Sequence, residues 1–142
     1  MNILIINGPN LNLLGEREPE VYGDESLTDI NQWLIRQAYE VDTVINLEFF
    51  QSNHEGNIID FMQSHRKTAK GCVINPGGLT HYSISLRDAI TACQIPTVEV
   101  HISDISQREK FRQKSVIKDV CIKQISGKGK QGYLEGIKAL FD

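Results

Sequence analysis

Several features that would place this 142-residue chain in a specialised class are missing. It has three cysteines, Cys72, Cys93 and Cys121, odd in number, far apart and never spaced as C-x-x-C. No disulfide framework or zinc knuckle is therefore written into it, and a reducing compartment is expected. No apolar run approaches the ~20 residues that a membrane-spanning helix requires. The apolar start Ile3-Leu4-Ile5-Ile6 breaks at Asn7-Gly8-Pro9 without a basic leader, unlike a secretory signal. A soluble cytoplasmic protein without membrane contact is the expectation. Neither sign of charge dominates: 15 basic residues face 18 acidic ones, for a net charge of -3. The footprint that phosphate neutralisation demands is thus absent, and nucleic acid is not an expected partner. No H-x-x-x-H or related ligand spacing occurs, so no metal site is expected.

What is present is a strong alternation. The chain is 40% hydrophobic, enough at this length for one domain with its own core. Five short apolar runs read as strands: Ile3 to Ile6, Val44 to Phe50, Cys72 to Ile74, Thr97 to Val100 and Val120 to Ile125. Several are apolar on consecutive residues, as strands covered on both faces must be. Between them run helical stripes. Leu27, Ile30, Leu34, Ala38 and Val41 share a face behind a capping box of Ser26 and Asp29, and Ser52 with Glu55 predicts a second box before Ile58, Ile59 and Met62. Leu86, Ala89, Ile90 and Cys93 form a third stripe, and Leu134, Ile137, Leu140 and Phe141 a last one. This order predicts a single α/β domain over 1–142: a doubly wound, five-stranded parallel sheet in three α/β/α layers.

In such a sheet, ligands bind beyond the carboxyl ends of the strands. Four ends carry polar or close-approach residues: Asn7-Gly8-Pro9-Asn10, Gln51-Ser52-Asn53-His54, Asn75-Pro76-Gly77-Gly78 and His101-Ile102-Ser103-Asp104. Turn chemistry alone favours these residue types, but four converging ends predict a site. The loop after the first strand, to about Asp24, is long enough for a lid and carries Arg17 and Tyr22. A phenol becomes a usable base only where a cation stabilises its phenolate. Glu99 and His101, two apart on a strand, share a face, so the carboxylate would orient the imidazole. His54 and His65 are expected at helix ends, and His81 at the opening of the third helix. Arg108 and Arg112 would share a helical face and offer an anion site. The run Gly127 to Gly132 matches G-x-G-x-x-G but leaves too little chain for a dinucleotide unit, and reads as a turn.

Together these segments resemble type II 3-dehydroquinate dehydratase, a family with a flavodoxin-like fold. The resemblance is carried by Asn7 to Gly15, Arg17 to Gly23, Phe50 to Gly56, Asn75 to His81, Leu86 to Ala89 and Glu99 to Ser103, in the family's order and spacing. It implies dehydration of 3-dehydroquinate to 3-dehydroshikimate in the shikimate route, by anti elimination through an enolate, with no cofactor and no Schiff-base lysine. By the same resemblance Tyr22 is the base, Arg17 its cationic partner on a lid over about residues 10–24, Asn10 an enolate-side donor, and His101, oriented by Glu99, the acid. Asn75, His81, Ile102, Ser103 and Arg112 match substrate-binding positions, and Asp88 a position that reaches a neighbouring subunit's substrate. The resemblance also implies a homo-oligomer, a dodecamer built from trimers. Asp104 to Gln107 and Gln113 to Val116 depart from the family's pattern. Two other readings compete: a non-catalytic flavodoxin-like ligand-binding module and a lysine-dependent dehydratase.

Overall fold

A computed structural model describes all 142 residues. Five parallel strands, β1 (Asn2–Asn7), β2 (Asn46–Gln51), β3 (Gly71–Asn75), β4 (Thr97–His101) and β5 (Lys123–Ser126), form one sheet in the order β2-β1-β3-β4-β5. The helices are α1 (Pro19–Tyr22), α2 (Leu27–Val41), α3 (Glu55–Ser64), α4 (Ile84–Cys93) and α5 (Gln131–Ala139).

The unbroken apolar run of β1 is explained by cover on both faces. Ile3 and Ile5 pack with Ile30, Leu34 and Ala38 of α2 and Leu134 and Ile137 of α5. Leu4 and Ile6 pack on the other face with Ile58 and Met62 of α3 and Leu86, Ile90 and Cys93 of α4. The side-chain period of two thus assigns alternate residues to two separate cores, and the three predicted layers are present. The chain reverses direction across the sheet between β1 and β3, where a crevice opens at the carboxyl ends.

Ser26 and Asp29 do form a reciprocal capping box on α2. The second box does not form. α3 starts later, with His54 as its N-cap, and Ser52 Oγ accepts the His54 amide instead of one three residues on, a local turn that competes with capping. Glu55 is the first helical residue, and its carboxylate accepts the Ser83 hydroxyl. β2 begins at Asn46, not Val44, because Asp42 draws the Val44 and Ile45 amides into a turn. β5 begins at Lys123, not Val120, because Val120 closes a 3-10 turn. His81 ends a 3-10 turn, and α4 opens at Ile84 behind Ser83, whose hydroxyl accepts the Leu86 amide. His65 pairs with Glu48 at 3.0 Å and leans on Phe61, whereas His54 makes no side-chain cap bond. Of the Gly127 to Gly132 run, residues 127–130 form a turn, with Gly127 and Gly129 at positive φ, and Gln131 and Gly132 open α5.

Candidate active site

The first loop closes over the crevice because part of it is anchored. Leu11 and Leu14 are buried in the α2/α5 core, and Asn10 takes a left-handed conformation to reach them. The Asn10 amide donates to Asn53 Oδ1 at 2.9 Å, and Gln51 Nε2 donates to Gly8 O at 3.2 Å. The end of β2 therefore braces this loop from behind and does not line the cavity; three strand ends converge, not four. Gly8 is required where the first and third loops cross, since a Cβ there would lie 2.4 Å from Pro76 O.

The cavity, about 160 Å³, is lined by Asn10, Arg17 and Tyr22 from the first loop, by Asn75 at the end of β3 with Gly77, Gly78 and His81 beyond it, and by His101 at the end of β4 with Ile102 and Ser103 beyond it. Arg108 and Arg112 line it as well. They come from an extended residue and a 3-10 turn, not from one helical face as predicted. Glu99 does not line the cavity; it lies behind His101. Asp88 is exposed on α4 and does not line its own chain's cavity.

Two arrangements stand out chemically. The Tyr22 hydroxyl lies 3.3 Å from Arg17 Nη2 and 3.1 Å from Arg108 Nη1, with the Arg17 guanidinium 4.5 Å from the ring centroid. Arg108 also reaches Ser103 Oγ at 3.3 Å, and its bond to Tyr22 raises the guanidinium above its ordinary range. On the other side, His101 Nε2 donates to Glu99 Oε2 at 2.5 Å, and Glu99 is 0% exposed. Burial pushes the Glu99 carboxyl up, but the bond and charge of His101 and the hydroxyls of Thr80 and Ser115 outweigh it. The group stays below the ordinary carboxylate range. Because an ionised carboxylate only accepts, Nε2 carries its proton, which fixes the imidazole's orientation.

Asn75 is held by its neighbours: Nδ2 donates to the Tyr133 hydroxyl at 3.0 Å, and Oδ1 accepts the Gly77 amide at 3.2 Å. Tyr133 in turn donates to Asn7 Oδ1 at 2.6 Å. Arg112 Nε lies 2.9 Å from Glu109 Oε2 without an aligned hydrogen bond, a charge contact only.

A phenol between two guanidiniums thus faces a carboxylate-backed imidazole across one cavity, and known proteins resemble the chain that builds it. Residues 1–141 match the family model described as Dehydroquinase class II. The chain belongs to the class II dehydroquinase family. A 3-dehydroquinate dehydratase of Halothermothrix orenii is 54% identical over 138 residues, covering 97% of this chain and 92% of that one. One from Prochlorococcus marinus is 55% identical over 140 residues, covering 96% and 94%. The crystal structure of type II dehydroquinase from Butyrivibrio crossotus superposes with a TM-score of 0.94 at 45% identity, covering 100% of this chain and 98% of that one.

Nine of the eleven residues expected at the site line the cavity, and the other two are Glu99 and Asp88. Sequence reasoning missed the contact of Arg108 with Tyr22, although the Arg108 and Arg112 pair was visible as an anion signal. Thr80, Ser115 and Tyr133 carried no signal, since single hydroxyls remote in sequence reveal nothing until the chain folds.

Proposed function

We propose that the chain is a hydro-lyase that dehydrates 3-dehydroquinate to 3-dehydroshikimate, the dehydration step of the shikimate pathway, with Tyr22 as base and His101 as acid. The observation that carries this reading is the convergence in one cavity of the Arg17–Tyr22–Arg108 cluster and the Glu99–His101 pair. Tyr22, as phenolate, takes the proton from the carbon beside the ketone, and that C–H electron pair forms the enolate. Arg17 and Arg108 set positive charge at the phenolic oxygen, where the negative charge of the base resides. Asn10 provides a donor on the enolate side, stabilising charge as it develops. As the enolate collapses, the carbon–carbon double bond forms and the β-hydroxyl departs as water with a proton from His101. General acid or base assistance of this kind is worth about 10²–10⁴-fold per group. The step is redox-neutral and its scheme needs no cofactor. Asn75, His81, Ile102, Ser103 and Arg112 hold the substrate, with Arg112 suited to a charge-assisted bond. No lysine lines the cavity, which speaks against an imine mechanism.

The lid is the loop over about residues 10–24, in which Gly15 and Gly23 both take positive φ. The oligomer belongs to this proposal: a trimer-built dodecamer in which Asp88 completes a neighbouring subunit's site, a reading supported by the exposure of Asp88, Tyr82 and Ile84. The three free cysteines support a cytoplasmic setting.

The test is ultraviolet absorbance after mixing with 3-dehydroquinate, because dehydration creates a conjugated enone carboxylate. Absorbance is expected to rise, and Tyr22→Phe to abolish most of the rise while substrate still binds. A Tyr22→Phe variant turning over at the parent rate would remove Tyr22 from the role of base. Absence of any rise in assembled protein would leave the family scaffold as a binding module. Light scattering reads the assembly, and a monomer with full activity would overturn the role of Asp88.

A further inference from the structure

The segment 114–118 crosses the site from behind as a strap. The Val116 amide donates to Thr80 O at 2.7 Å, and Val116 O accepts from Arg87 Nη1 at 2.8 Å, with Arg87 also paired to Asp119. His81 Nδ1 lies 2.7 Å from Lys114 O, so the strap also touches a cavity residue. At its centre, Ser115 Oγ lies 2.9 Å from each oxygen of Glu99. The proton directions follow from counting. The Ile117 and Lys118 amides, at 3.3 and 3.1 Å, both donate to Ser115 Oγ and occupy its lone pairs. Its one proton is therefore directed at Glu99. Thr80 Oγ1, 2.9 Å from Ser115, spends its own proton on Glu99 Oε2 at 2.5 Å. His101 also bonds Oε2. Ser115 is thus the one side chain that reaches Glu99 Oε1, in a carboxylate wholly shut off from water.

We propose that Ser115 is a positioning residue for the acid: the strap presents its hydroxyl to Glu99 Oε1 and so fixes the carboxylate that orients His101. This inference rests on the reading of His101 as the acid. A carboxylate held by one oxygen pivots about that contact, and its imidazole partner pivots with it; held by both, it has one orientation. The groups facing Glu99 are His101 from its own strand, Thr80 from the turn before α4, Ser115 from the strap, and the Cys121 thiol. Burial and the charge of Glu99 push that thiol up to about 12, so it stays neutral at physiological pH. With Ser115 as the second anchor, the remaining negative charge of Glu99 is shared between His101 and two hydroxyls. Without it, more of that charge falls on His101.

The test compares the parent, Ser115→Ala and Ser115→Thr in kcat and KM across pH, with the His101 Nε2 proton followed by NMR of protein carrying ¹⁵N-labelled histidine. Ser115→Ala is expected to lower kcat about tenfold with KM within about twofold, the effect of one lost charge-assisted bond felt only in the chemical step. The alkaline limb of its kcat profile should move to higher pH, and the His101 Nε2 proton should shift. Ser115→Thr, which keeps the hydroxyl, should restore all three. A kcat profile and His101 resonance that superimpose on the parent's, or a rise confined to KM, would overturn the inference. If Ser115→Ala yields too little folded protein, Ser115→Cys, which keeps the side chain's shape but leaves only a weak donor at Glu99 Oε1, is read by the same two measurements with the same expected directions. A parent protein without dehydratase activity would refute the proposed function, while the His101 resonance would still decide whether Ser115 positions the pair.

Discussion

Glu99→Gln exposes the chemistry of the site and the physics of its burial in one experiment. The native carboxylate accepts three hydrogens, from His101, Thr80 and Ser115. A glutamine offers one oxygen and one NH₂, so whichever way the amide turns, an N–H donor confronts at least one of these donors. An unpaired buried donor costs about 1–3 kcal/mol, and losing hydrogen bonds to a charged acceptor costs a similar amount. Lower desolvation of a neutral amide offsets part of this, leaving a net loss of roughly 2–3 kcal/mol, which a domain stable by ~5–15 kcal/mol survives. The pH dependence has a definite sign. Because the folded carboxyl lies below its ordinary value, Glu99 contributes stability that is present above about pH 4.5 and lost as pH falls through the folded value. Urea denaturation should therefore show a gap between parent and variant at pH 7 that narrows in acid. The ultraviolet assay should show kcat down by about 10²-fold or more, since the amide no longer fixes the imidazole or supports its charge. Equal urea midpoints at pH 7, or a kcat within twofold of the parent, would refute the argument that this carboxylate is ionised and orients His101.

Three further perturbations separate the other contacts. Arg108→Met removes one of two cations at the Tyr22 oxygen and should lower kcat/KM by about 10–100-fold with stability changed by less than about 0.5 kcal/mol; an unchanged kcat/KM would leave Arg17 as the sole partner. Tyr133→Phe leaves Asn7 Oδ1 and Asn75 Nδ2 unpaired and should destabilise by about 1–3 kcal/mol. KM should rise as Asn75 loosens, and a variant unfolding at the parent's urea midpoint would contradict the network. Gly8→Ala sets a Cβ against Pro76 O, which forces the first and third loops apart. It should cost at least about 2 kcal/mol and most of the activity, and parent-like thermal unfolding would show that the crossing is pliable.

The sheet, the layers and most of the cavity's lining were legible along the chain. Consecutive apolar residues in β1 and the 3.6-residue stripes of α2 and α4 each have one way to be buried, and strand ends in a doubly wound sheet have one place to converge. The pairing of Glu99 with His101 was legible for the same reason, since residues two apart on a strand share a face whatever surrounds them. Element boundaries were less so. Asp42, Ser52 and the turn before Lys123 redirect amides locally, and a side chain that bonds its own backbone competes with the apolar pattern without changing it.

Which remote side chains meet is a matter of the packed molecule. Nothing in the spacing places Arg108 on Tyr22, 86 positions away, or Ser115 on Glu99. Those contacts follow from a loop folding over one end of the sheet and a strap crossing behind it. The physical reason is that periodicity encodes which face of an element is buried, which is a property of neighbours in the chain. A hydrogen bond between single side chains depends instead on positions set by the whole packed molecule.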